Sequence, residues 1–394
     1  MVVPRVFLVL LATLPGVPAA AQDTAMVQGG IYQRPYLVAA GRTAVGGYVE
    51  GNANYFRTDG IGEGLSMELR RFNVFLFSSV GRRLRFTSEL EFEHGVEEIA
   101  LETALVDFTI TPSLIVRGGI LLPPIGAFNV NHDGPRYEFV DRPLVSTRII
   151  PATLSEIGFG IHGRLAPRGL ALSYDAYLTN GLGDGVLLND TGRTDFPSGK
   201  HPERFGEDNN GSPALSGRIA AHSRRLGGSE IGLSYYGGIY NTYRIEGETV
   251  DAKRWLSLLA VDWAATIRGV SLRGETVWAS IDVPDHLAEL MGDRQWGIYL
   301  DAVTTVWRPR IRGLPDPEVN LAVRLERVDF NRGRFSSTDL KIYDEINAVT
   351  AGIAFRPAAG TVFRANYRRE SSRDAQGNPP SRTGGFQFGF AIYF

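Results

Sequence analysis

Between Leu84 and Glu93 the chain alternates cleanly. Leu84, Phe86, Leu90 and Phe92 fall on one face; Arg85, Thr87, Glu89, Glu91 and Glu93 fall on the other. A period of two is the period of an extended strand. The same pattern closes the chain, where Phe386, Phe388, Phe390, Ile392 and Phe394 interleave with Gln387, Gly389, Ala391 and Tyr393. Read in this way, the chain predicts sixteen strands, near 44–57, 65–80, 84–93, 98–111, 114–122, 156–165, 170–180, 214–225, 230–241, 253–266, 270–283, 294–308, 318–330, 344–356, 361–370 and 384–394. In the second, the apolar positions change parity between Leu69 and Phe72, which predicts a bulge near Arg70-Arg71.

The connections sort the strands further. Loops follow the odd-numbered strands and tight turns follow the even-numbered ones, and two of the loops, 123–155 and 181–212, exceed thirty residues. A soluble β-sandwich shares the local alternation but gives no reason for every second connection to be short. Bacterial outer-membrane barrels do, with even strand numbers, short turns at one rim and longer loops at the other. The expected fold is therefore all-β: a transmembrane antiparallel up-and-down barrel of 16 strands with a long inward-folded loop. Mean hydropathy of −0.08 fits, because barrel strands hide from hydropathy averages.

The ends divide the chain. Residues 1–21 read as a secretory signal, with Arg5, an apolar run Val6–Leu14 and Ala19-Ala20-Ala21 before Gln22. That run is shorter than the roughly 20 apolar residues a spanning helix needs. Residues 22–43 are a polar periplasmic lead-in, and 44–394 form the barrel, placed in the outer membrane of a Gram-negative-type bacterium. Tyr55, Phe56, Phe75, Phe77, Trp255, Trp296, Trp307 and Tyr393 fall near strand ends, where amphipathic aromatics form headgroup girdles.

Composition removes alternatives. There is no cysteine, hence no disulfide, thiolate metal site or cysteine nucleophile. With 41 basic and 43 acidic residues the net charge is −2, too small to argue for nucleic acid. The six histidines are scattered; His132-Asp133 is the best pair, but adjacency in a loop makes neither a triad nor a metal motif. No cofactor, metal or catalytic residue is assigned. The acidic loop 181–212 could bind a divalent cation, or lipopolysaccharide through one, but it lacks the calcium-loop spacing of an EF-hand and reads as a solvated external surface.

Sixteen strands enclose a water-filled lumen, so the expected activity is passive diffusion of small polar or anionic solutes. Inward positions include Arg85, Arg117, Arg273, Arg324, Arg364 and Arg368, interspersed with Glu89, Glu91, Asp175, Glu275 and Glu326, as for a wall neutralised across strands. The segment 123–155 is more apolar than an external loop requires and is the candidate constriction. Its Arg136, Arg142 and Arg148 are opposed by Asp133, Glu138 and Asp141, leaving its sign open.

Pro123-Pro124-Ile125-Gly126-Ala127-Phe128-Asn129, His132-Asp133, Asp141–Ser146, Ile149-Ile150-Pro151, the Gly158–Gly163 strand start and the terminal Phe394 resemble the phosphate-selective porin O and P family. That resemblance implies sixteen strands, a homotrimer, an inward-folded third loop and phosphate as a candidate solute. It also implies that Phe394 is an assembly signal read by the barrel-assembly machinery in the presence of membrane lipid. The family's arginine ladder and lysine cluster are not matched, because acidic residues flank the arginines and the strands hold few lysines. Two other classes stay open: a substrate-specific channel for an organic acid or sugar, and a non-conducting barrel serving as scaffold or enzyme.

Overall fold

A computed structural model describes residues 38–40, 42–166, 170–200, 203–223, 228–288, 290–335 and 337–394. The export signal expected over 1–21 and most of the lead-in lie outside the described residues. Sixteen long strands follow in order: β1 Thr43–Thr58, β2 Ile61–Val80, β3 Leu84–Glu93, β4 Glu98–Thr111, β5 Leu114–Leu121, β6 Glu156–Leu165, β7 Ala171–Thr179 and β8 Ala214–Ser223. The second half comprises β9 Ser229–Ile239, β10 Trp255–Ile267, β11 Val270–Ile281, β12 Arg294–Trp307, β13 Glu318–Asp329, β14 Glu345–Ala358, β15 Thr361–Arg373 and β16 Ser381–Tyr393. Each pairs antiparallel with its neighbours in sequence, and β16 pairs with β1 from Thr383↔Thr58 to Tyr393↔Tyr48. The sheet is closed, so every long strand has two partners and no long edge is left over.

The alternation seen in the sequence is the alternation between the two faces of this wall. Phe386, Phe388, Phe390, Leu321, Val323 and Leu325 are exposed, whereas Gln387, Arg324, Glu326 and Glu89 are buried. An exposed apolar face running around a closed barrel is stable only against an apolar medium, which is the lipid interior. No described helix is long and apolar enough to cross a membrane.

Several register shifts interrupt the ladders, and two of them turn charge inward. Glu50 pairs with Arg71 and Gly51 with Leu69, leaving Arg70 as the extra residue, where the parity change placed it. Glu89 pairs with Thr103 and Leu90 with Leu101, leaving Glu102 as the extra residue on β4. A bulge lets consecutive side chains share a face.

Several expectations need correction. Part of the lead-in is structured, since Val38–Ala40 pairs antiparallel with Thr43–Val45. The polar loop expected over 371–382 is shorter, because β15 continues to Arg373 and β16 resumes at Ser381. Connections alternate less strictly than the pattern implied: β1 and β2 are joined by two residues, and β12 and β13 by ten. Phe75 is fully buried, and the Tyr393 hydroxyl bonds inward to Asp133, so neither belongs to a lipid girdle; Tyr55, Trp255 and Trp307 do lie exposed. In each misplaced case an aromatic near a strand end has inward parity, and parity outweighs position.

The barrel contains an apolar core. Ile125, Leu144, Val145, Ile149, Ile150 and Leu154 cluster with Leu182, Val186 and Phe196 of the second long loop, and with Tyr236, Leu256, Val277, Tyr299 and Val328 from β9 to β13. The two long loops thus share one hydrophobic cluster with the inward face of that arc.

Candidate functional site

The segment 123–155 and the wall around it bring together most of the residues singled out in the sequence. The segment leaves β5 through Pro123-Pro124, which lack N–H donors and end the ladder. Gly126 follows with φ of 64°, and a side chain there would collide with the Glu275 carboxylate of β11. That carboxylate instead accepts from the backbone N–H groups of Ala127 (2.9 Å) and Phe128 (3.2 Å) and from Ser146 Oγ (3.1 Å). A short helix, α1 (Leu144–Arg148), packs against β11, β12 and β13, and its Leu144 N–H donates to Glu326 at 2.7 Å.

Further along, the segment bonds to strand after strand. Glu138 accepts from Arg273 of β11 and Arg356 of β14, each at 2.8 Å. Asp141 accepts from Arg70 of β2 (3.1 Å), Gln387 of β16 (2.8 Å) and Arg368 of β15 (3.5 Å). Arg364 of β15 donates to Phe139 O and binds Glu50 of β1 at 2.9 Å. Burial works against the charge of Glu138 and Asp141, but Arg273 and Arg356 beside the first, and Arg70 and Arg368 beside the second, outweigh it. Both carboxyls are held below their ordinary values.

The wall arginines are engaged in pairs. Arg117 forms a fork onto Asp107 (2.8 and 2.9 Å) and also donates to Tyr177 OH. Arg324 does the same onto Asp301 (2.6 and 2.8 Å), and Arg218 onto Asp262 (2.9 and 2.6 Å) with Glu230 at 2.8 Å. Arg117 and Asp107, like Arg324 and Asp301, face each other directly across adjacent strands. Arg85 lies apart, opposite Asp107 on β4 near the rim of the short turns. Bidentate pairs of this kind are geometrically specific.

Within the segment the expected residues separate into anchors and open groups. Arg136 donates to Tyr393 OH (3.0 Å), and Tyr393 donates to Asp133 (2.7 Å). His132 is buried between Asn129 O and Glu102. Arg142 donates from Nη1 to Thr153 Oγ1, while its Nε and Nη2 have no hydrogen-bond partner. Arg148, the last residue of α1, is exposed with no polar partner among the described residues. Arg142, Lys200 and Arg204 line a gap of about 180 Å³ together with Glu91, Glu93 and Glu98.

Sequence reasoning missed Arg70, Glu102, Asp107, Lys200, Arg204, Arg218, Asp301 and Arg356. Arg70 and Glu102 face inward through bulges, Lys200 and Arg204 come from the second long loop, and Asp107 and Asp301 gain meaning only once register names their arginines. Arg218 and Arg356 were within reach, since each shares parity with buried positions of its own strand.

No family model matches this chain. An uncharacterized protein of Aquifex aeolicus is 34% identical over 198 residues, a match covering 48% of this chain and 43% of that relative. Among solved structures, Pseudomonas putida OprB superposes with a TM-score of 0.55 at 9% identity, covering 90% of this chain and 94% of the other. Salmonella typhi OmpF gives 0.54 at 9% identity, covering 89% and 98%. The anion-selective porin of Comamonas acidovorans gives 0.51 at 14% identity, covering 89% and 99%. At these identities the likeness is one of fold, and the fold is that of the outer-membrane porins.

Proposed function

We propose that the chain is an outer-membrane porin in which the 123–155 segment folds into the lumen and leaves a narrow, charged passage for small polar or anionic solutes. The reading rests on one observation above the others: residues 126–144 bond to inward side chains of β2, β4, β9, β11, β13, β14, β15 and β16. A loop lying outside the barrel has no route to so many separated strands. The passage then runs along the β2–β4 flank, opposite the apolar cluster, past Arg142, Lys200, Arg204, Glu91, Glu93 and Glu98.

Arg142 supports anionic solutes: it lines the gap, two of its nitrogens are buried without a hydrogen-bond partner, and a guanidinium fork matches carboxylate or phosphate oxygens. Against a phosphate ladder stands the pairing of Arg117, Arg218, Arg324 and Arg364 with carboxylates, which leaves the wall itself neutral. Phosphate, if carried, is selected at Arg142 rather than along a ladder. Assembly as a homotrimer is part of the proposal and is supported by the trimer form described for Vibrio cholerae OmpT, whose TM-score to this chain is 0.52.

Planar-bilayer conductance tests the reading. The wild-type chain gives discrete channels, and removal of residues 127–153 raises single-channel conductance several-fold. Purified barrel that folds but does not conduct removes the porin reading, and unchanged conductance after the deletion removes the constriction. Native mass spectrometry from detergent checks the trimer.

A further inference from the structure

The Arg142 passage leaves unexplained a denser cluster behind it, where β3 and β4 meet the segment. Glu89, His132 and Asp133 each bring a ligand atom to within 4.8 Å of the others, and all three are buried. His132 Nε2 stands 3.9 Å from Glu89 Oε1 and 2.9 Å from Glu102 Oε2. Ligands of one ion with bonds of about 2.1–2.4 Å stand about 3.0–3.4 Å apart when adjacent and up to about 4.2–4.8 Å when opposite, so separations of 2.9 and 3.9 Å are of metal-site dimensions.

Three independent features point to a ligand rather than a chance gathering of acids. The first is the second shell. His132 Nδ1 donates to the Asn129 carbonyl at 2.8 Å, the arrangement that fixes a metal-binding imidazole, and its Nε2 faces Glu102 at 2.9 Å, a hydrogen bond whose proton an ion would replace. The second is the bulge: one extra residue on β4 turns Glu102 inward beside Thr103, opposite Glu89. Bulges recur where a strand must re-aim a side chain at a site. The third is unmet hydrogen bonding. Thr103 Oγ1 and Asn73 Oδ1 are fully buried without a partner, and Asn73 Nδ2 itself donates to Glu89 at 2.7 Å. Thr103 shares the inward face with Glu89, its direct cross-strand neighbour.

We infer that Glu89, Glu102, His132 and Asp133 hold a divalent first-row metal ion, with Mn²⁺ or Zn²⁺ the best match, clamping the 123–155 segment to β3 and β4. One imidazole with several carboxylates suits these ions better than an all-oxygen Ca²⁺ or Mg²⁺ site. Charge argues the same way. Buried carboxylates are costly without compensation, and the nearby Arg71 is committed to Glu50, Glu91 and Glu93, while Arg136 lies at Asp133. Glu91 and Glu102 line the 180 Å³ gap, which supplies a path of entry.

Refolded full-length chain, stripped with chelator, exposed to Mn²⁺ or Zn²⁺ and desalted, is expected to retain one ion per chain by inductively coupled plasma mass spectrometry. Glu89→Gln and His132→Gln each weaken binding at least tenfold while heat-modifiable migration still shows a folded barrel. In Mn²⁺-loaded wild type, pulsed EPR shows coupling to one imidazole nitrogen, which decides the matter if a variant does not fold. Sub-stoichiometric retention, binding unchanged in the folded variants, or Mn²⁺ without nitrogen coupling each overturns the site.

Discussion

Arg324 shows how much one side chain does in this lumen. Its Nε and Nη2 neutralise Asp301, its Nη1 donates to Asp141 O at 2.7 Å, and its guanidinium lies 4.3 Å from the Phe139 ring centroid. It belongs to both wall and segment. Arg324→Ala strands the Asp301 carboxylate in a buried position, and removal of one partner of a buried pair typically costs about 3–5 kcal/mol. Urea unfolding in lipid or detergent should show a loss of that order; a change within about 0.5 kcal/mol, as for an exposed site, would mean that water screens the pair. Arg142 is a different case. Two of its nitrogens have no hydrogen-bond partner and it lines the proposed passage, so under that proposal Arg142→Glu is expected to move the reversal potential in a salt gradient towards cation selectivity. Inward arginines were legible from parity alone. Whether an arginine is spent on an acid or left open was not, because that depends on which residue faces it across a register the sequence does not print.

At the scale of elements, the bulges and the long segment belong together. Arg70 and Glu102 are the extra residues of β2 and β4, and each bonds to the segment, at Asp141 and His132 respectively. The parity change between Leu69 and Phe72 announced the first. The second was hidden because Ala104, Val106, Phe108 and Ile110 alternate so regularly that the slip at Glu102 passes unnoticed. Docking of the segment depends on pH through Glu138 and Asp141. Their docked carboxyls bind protons more weakly than undocked ones, so docking contributes fully above the ordinary carboxylate range and is lost as pH falls through the depressed values. Conductance should therefore hold steady from neutral pH down to about 5 and become larger or noisier below about 4. Identical traces at pH 7 and pH 3 would place the hold on the segment in its apolar contacts with β9–β13 instead.

For the whole molecule the decisive event is closure. Gly47 N–H donates to Phe394 O at 2.9 Å, Phe394 N–H donates to Gly47 O at 3.0 Å, and the terminal ring stacks on Phe72 with centroids 5.4 Å apart. The backbone pair survives replacement of Phe394 by serine, and an aromatic stack contributes about 0.5–1.5 kcal/mol. Phe394→Ser should thus change the unfolding midpoint of refolded barrel only slightly, yet sharply lower the amount assembled in the outer membrane. Equal losses in both measurements would make Phe394 a structural residue and not an assembly signal.

The sequence by itself determined the wall: sixteen alternating strands, their order, and which face of each meets lipid. Alternation is a local property, fixed by the pleat and by the medium on each side, and it survives in one dimension. The tertiary structure decided what fills the wall. The partners of Arg117, Arg324 and Arg364, the shared cluster of the two long loops, and the meeting of Glu89, Glu102, His132 and Asp133 all join residues distant in sequence. Such contacts depend on register and on the path of irregular chain, and neither leaves a period to read.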